Sequence, residues 1–179
     1  MRGFARALVS TLRNLMCART VLLIVFVASL TCLPAASAVT WQEKMLNSIN
    51  SIRAERALTP LNMCRPLIIA AQSYAKKMAQ QDFLDHTGKD GSTPGSRIQK
   101  AGYDWMNSKK GSMIAENIAG GQKSVVEVMR GWSKSKRHYK NMVTPAFTHV
   151  GFGMAINDRA KYKKYWVQNL GFGAACKRK

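Results

Sequence analysis

The sequence predicts an α+β domain with helices packed on a small antiparallel sheet. Three observations carry that prediction. Helical periodicities crowd the region after residue 40, strict two-residue alternation appears only near the end, and no regular strand–helix alternation separates them.

The first helix is expected over about 41–57. Thr40-Trp41-Gln42-Glu43 has the form of a capping box, in which hydroxyl and carboxylate exchange hydrogen bonds with the first turn. Trp41, Met45, Ile49 and Ile52 then recur at three- and four-residue steps. Arg53 and Arg56 suit the negative end of the helix dipole, and Pro60 bars continuation. A second helix is expected over about 65–83, burying Leu67, Ala71, Tyr74, Ala75 and Met78. It delivers Asp85-His86-Thr87-Gly88 into a loop. Thr93-Pro94 reads as an N-cap with proline in the first turn, starting a short helix that Gly102 ends.

Met113 to Ile118 reads as a short strand. Ser124-Val125-Val126-Glu127 reads as another capping box, and Val125, Val128, Met129 and Trp132 as the inner face of its helix. A turn or short helix holds His138 to Met142. Val150, Phe152, Met154 and Ile156 alternate with Gly151, Gly153 and Ala155, the pattern of a strand. The glycines would admit another layer at close range. A polar hairpin at 157–161 leads to a returning strand at 162–170.

The N-terminus reads as a secretory signal peptide, residues 1–38. Arg2, Arg6, Arg13 and Arg19 precede an apolar run from Val21 to Leu33, and Ala36-Ser37-Ala38 has the small residues of a cleavage site. The run is short for a membrane span, which needs about 20 residues. An uncleaved N-terminal anchor is the alternative. Cleavage after Ala38 would leave one domain, residues 39–179, with no transmembrane segment. Cys64 and Cys176 would be its only cysteines, an even pair suited to an oxidising compartment. There is no C-x-x-C spacing for a zinc site and no N-x-[ST] sequon.

Charge is the strongest compositional signal. The whole chain has 28 Lys+Arg against 9 Asp+Glu; setting aside the four leader arginines leaves a formal +15. Such a charge draws a protein to anionic polysaccharide, lipid or nucleic acid without choosing among them. Clusters such as Lys134 to Arg137 and Lys161 to Lys164 also read simply as solvated faces. No recognisable nucleic-acid module interleaves aromatics with them, so no specific nucleic-acid partner is expected.

Four segments together resemble the CAP superfamily of cysteine-rich secretory, antigen 5 and pathogenesis-related proteins. They are Asp85-His86-Thr87-Gly88, Ala115-Glu116-Asn117-Ile118, Trp132 with Ser135 and His138, and Tyr165-Trp166-Val167-Gln168. The likeness extends over about residues 44–172 and is greatest to SCP-like extracellular proteins. It implies an α-β-α sandwich with an open cleft holding two histidines and two acids. His86 falls at the first histidine, Glu116 at the first acid, and His149 best matches the second histidine. Ser135 stands where the second acid belongs, with His138 nearby instead, and Ala115 replaces the usual glycine before the glutamate. In such a sandwich Cys64 and Cys176 can meet as a disulfide.

The resemblance makes His86, Glu116, His138 and His149 the candidate cleft. It requires no cofactor, but makes His86 and His149 a zinc-capable pair, with Glu116 as orienting acid or third ligand. Each has a plainer reading: a histidine may only cap or solvate, and Glu116 could neutralise a cation such as Arg97. Asn50 and Arg53 resemble the family's first-helix Asn-x-x-Arg and are read as a structural surface pair. Trp132 and Trp166 read as core. Ser135 has no fixed base–acid partners and is not read as a nucleophile.

The function this implies is a secreted, extracellular binding module without catalytic residues. Its partners would be a sterol or other lipid, or anionic host-surface or cell-wall material. The many methionines suit an adaptable apolar groove away from the histidines. The alternative is a metal-dependent hydrolase using the same cleft.

Overall fold

A computed structural model describes residues 38–106, 111–173 and 176. The chain divides between Ser37 and Ala38. The leader expected over residues 1–38 lies outside the described residues, save Ala38.

Helix α1 spans Trp41–Ala54 and begins with the expected Thr40–Glu43 capping box. It stops three residues early, and Ala57 turns into the left-handed region at φ 52°. Asn50 and Arg53 do not form a surface pair. The Asn50 side chain accepts from Leu61 N–H and donates to Leu61 C=O. Arg53 is fully buried and donates to the carbonyls of Thr59, Met142, Thr144 and Phe147. Its role is structural, as expected, but it acts inside the protein by joining two loops to α1.

Strand β1, Asn62–Met63, was not foreseen. Two residues carry no periodicity to read. Helix α2 spans Arg65–Gln81 with the expected buried stripe, closed by Asp82 in a left-handed turn. Helix α3 spans Pro94–Lys100 behind the Thr93 cap.

Strand β2 covers Met113–Gly120, and helix α4 covers Val125–Lys134. Ser124 caps α4, but the capping box is incomplete. The Glu127 carboxylate reaches one residue further back and accepts from Lys123 N–H at 2.9 Å. Helix α5 spans Lys136–Met142. Strands β3, His149–Ile156, and β4, Lys164–Phe172, form the late hairpin, whose turn runs to Lys163 rather than Lys161.

The sheet order is β1-β3-β4-β2. β2 and β4 are antiparallel, as are β3 and β4, whereas β1 runs parallel to β3. One sheet face carries Phe152, Trp166 and Leu170, which pack with residues of α1, α4 and α5. The other face carries Val167 and meets Ala71, Ala75 and Met78 of α2. Trp132 and Trp166 are both core. The result is a helix–sheet–helix sandwich.

The second face depends on two glycines. A Cβ on Gly151 would overlap the backbone of Leu67 and Ile68, and one on Gly153 that of Ala71 and Gln72. With no side chain at either place, α2 lies directly on β3.

Cys64 and Cys176 form a disulfide, with Cα atoms 5.5 Å apart across a sequence separation of 112. A closed loop of that size stabilises by up to about 4–5 kcal/mol through the unfolded chain. We expect unfolded, non-reduced protein to show no free thiol from this pair. Cys176→Ser should lower the unfolding free energy by at most that amount. Reactive Cys64 in the non-reduced protein would contradict the pairing.

Candidate functional site

The site lies at the edge of the sheet, where β2 is the terminal strand among the described residues. Glu116 and Asn117 are consecutive on β2, so their side chains leave opposite faces. Glu116 points towards α2 and α3, and Asn117 towards α5, where its amide donates to the His138 carbonyl. Neighbouring residues of this edge strand therefore contact both helical layers, Glu116 on one side and Asn117 on the other.

Three elements converge on Glu116. Its side chain is only 1% exposed, and Arg97 of α3 donates from one nitrogen to both carboxylate oxygens, at 3.0 and 2.9 Å. The same nitrogen donates to the His86 carbonyl at 3.0 Å. His86 Nδ1 lies 2.8 Å from Glu116 Oε1. A carboxylate only accepts, so Nδ1 carries the proton and a neutral His86 ring offers Nε2 as its lone-pair nitrogen. That ring is half exposed.

Tyr74 of α2 holds the arrangement from beneath. Its ring lies under the Arg97 guanidinium, 3.3 Å from the ring centroid, and its hydroxyl donates to the Asp85 carbonyl at 2.6 Å. One tyrosine thus fixes both the arginine and the residue before His86. Burial, more than any neighbouring charge, pushes the phenol up to about 12.

His138 of α5 completes the edge. Its ring packs near Trp132, with centroids 6.5 Å apart. Its pKa is lowered, first by burial, then by the nearness of His86 and Arg137. His86 and Glu116 are thus joined directly, and His138 lies within reach of the charge of His86.

His149 lies elsewhere. It pairs with Gly171, which pairs with Ile114, two residues along the strand from Glu116. From strand spacings its Cα lies roughly 12 Å from that of Glu116. The buried Tyr103 ring stands against Gly171, between them, and shares a hydrogen bond with His149 Nδ1 at 3.0 Å. Burial lowers the His149 pKa too.

The donor set does not fit zinc. Glu116 already has both oxygens on Arg97, and His149 is bound to Tyr103 away from His86. Among the described residues no group of three or more His, Cys, Asp or Glu is arranged to hold a metal ion. Arg97 as partner of Glu116 was legible as a charge needing neutralisation, but Tyr74 and Tyr103 were missed. Both look like ordinary core aromatics in the sequence.

The chain is thus a helix–sheet–helix sandwich with a His–Glu pair at the sheet edge. The family model for the cysteine-rich secretory protein family, CAP, matches residues 46–170, and the chain belongs to that family. The protein YkwD of Bacillus subtilis is 30% identical over 118 residues, 66% of this chain and 44% of that protein. An extracellular protein of Bacillus anthracis containing an SCP domain superposes with a TM-score of 0.61 at 25% identity, covering 73% of this chain and 40% of that one. An outer surface protein of Borrelia burgdorferi shares the fold, with a TM-score of 0.63 at 22% identity, covering 73% and 91%. The chain spans less than half the length of the two Bacillus relatives.

Two outcomes are expected at this site. Glu116→Gln leaves a buried guanidinium without its counter-charge and should cost about 3–5 kcal/mol in urea unfolding. His86→Gln, changing a half-exposed ring, should cost far less. Equal costs would mean that the carboxylate is not the organising charge.

The second outcome is a pH dependence. The unfolded chain protonates its histidines near 6.5, whereas folded His138 and His149 bind protons less readily. Their contribution is therefore full above about 6.5 and is lost as pH falls through the lower folded values. The melting temperature should fall on acidification from neutrality, and a His138→Gln, His149→Gln double variant should flatten that limb. An unchanged limb in the double variant would contradict the assignment.

Proposed function

We propose that the protein is a secreted, non-enzymatic binding module of the CAP family whose ligand is an anionic single-chain lipid held between α1 and α4. The observation that supports this is a groove of about 430 Å³ between those helices. Val125, Val126 and Met129 supply its apolar lining, and Lys44 and Arg130 its charge. The volume falls within the roughly 300–1,000 Å³ of small-molecule sites. Val126 is 63% exposed there and presents an apolar side chain at the rim of the groove. An acyl chain would meet the valines and methionine, and a carboxylate the two cations.

The groove and the His–Glu cluster belong to opposite layers. α1 and α4 cover the face that carries Phe152 and Leu170, whereas Glu116 lies on the α2 side. Lipid binding would therefore use no histidine. Secretion agrees with the leader pattern of residues 1–38 and with a disulfide that needs an oxidising compartment. The Bacillus anthracis relative is itself described as extracellular. The hydrolase alternative would instead need a metal-activated water in the His–Glu cleft.

A native mass spectrum of protein taken from the medium tests both parts. The chain should begin at Val39 and retain species of fatty-acid mass. Val126→Asp should abolish retention, and His86→Ala should leave it unchanged. The opposite pattern in the two variants would refute a groove separate from the cleft.

A further inference from the structure

The surface of α4 and α5 carries one sign of charge. Arg130, Lys134, Lys136, Arg137 and Lys140 are all exposed, and no acidic residue occurs from Val128 to Asn157. Among the described residues none of the five enters an ion pair. The helices are joined through the single extended residue Ser135, so the two groups of cations lie on consecutive helices. Arg56, at the end of α1, extends the ridge: its Nε donates to the Tyr139 hydroxyl of α5 at 2.8 Å. The neighbouring acids are at the ends. Glu127 is turned back onto Lys123 N–H, and Glu55 adjoins Arg56.

A merely solvated face does not require this. Interspersed charges of both signs hydrate a surface equally well and repel one another less. Five or six unpaired cations on one ridge lower one another's stability unless an opposing charge is present for part of the time. Burial first, then the charges of His86 and Arg137, depress the protonation of His138, and the last of these agrees with that local potential.

We propose that this ridge docks the protein on an anionic lipid bilayer. The choice of a bilayer over a soluble polyanion rests on the groove reading given above. Arg130 belongs to both features, and Val126 is exposed one turn before it on the same helix. A polysaccharide would meet the cations but leave that apolar side chain and its groove unused. A bilayer meets the cations with headgroups and presents acyl chains to the groove.

The test is sedimentation with phosphatidylcholine vesicles, with and without phosphatidylglycerol, over a salt series. Fatty-acid uptake is measured on the same proteins. Binding should require phosphatidylglycerol and fade as salt rises. Each cation near such a surface is worth about a fivefold change in partition, so Lys134→Glu, Arg137→Glu, Lys140→Glu together should reduce it by roughly 100-fold or more. Lys76→Glu, Lys100→Glu, Lys161→Glu makes the same change of net charge on α2, α3 and the hairpin, and should bind far better than the ridge variant. All the proteins carry the same N-terminus, so residues 1–38 contribute equally to each. Equal losses in the two triple variants would show that net charge acts rather than the ridge, and would overturn the proposal. So would wild-type protein that ignores the vesicles but binds a soluble polyphosphate through the ridge. Vesicle binding without fatty-acid uptake would keep the ridge and remove the groove. Uptake without vesicle binding would do the reverse.

Discussion

The close approach of α2 to β3 is the constraint on which the rest of the molecule depends. It is set by the absence of two side chains, at Gly151 and Gly153, opposite the backbone of Leu67 and Ala71. Backbone contact at this distance tolerates no added methyl, because packed interiors have no spare volume. Once α2 is seated, its far end is fixed. Asp82 turns the chain at φ 48° and accepts from both the Tyr165 hydroxyl and Lys161 N–H. Tyr74, on the same helix, holds the Asp85 carbonyl. His86 is therefore aimed at Glu116 by a helix position that two distant glycines permit.

Two arginines, Arg53 buried and Arg97 mostly so, solve different problems. Arg53 satisfies itself on four carbonyls and binds no acid. It replaces regular structure in loops that could not otherwise hydrogen-bond inside the protein. Arg97 is paired with Glu116, and a buried pair of this kind contributes geometry more than net stability. It holds both carboxylate oxygens, one of which also meets His86. That makes the cluster a fixed hydrogen-bond unit rather than an open ligand set.

Functional features divide between the two helical layers. The α2 and α3 side buries charge and orders the His–Glu pair. The α1, α4 and α5 side exposes Val126 and an unpaired line of cations. The sheet between them keeps these chemistries apart. Only at the edge strand do they approach, where His138 of α5 comes near His86.

The sequence by itself determined the elements and the layers. Capping residues Thr40, Thr93 and Ser124 mark helix starts by chemistry local to one turn, and the alternation of Gly151 and Gly153 with Val150 and Phe152 announced a close layer. Motif order sufficed for the family and the Cys64–Cys176 pairing. Local signals could not place β1, which is two residues long and exists only because β3 lies beside it. Nor could they show that Arg53 turns inward, since three of its four partners lie about ninety residues away. Four site residues could be read as one cleft, but strand register and the Tyr103 ring over Gly171 separate His149 from the His86–Glu116 pair. Register and ring position arise from pairing between distant segments, and for that reason only the tertiary structure decided which histidines meet.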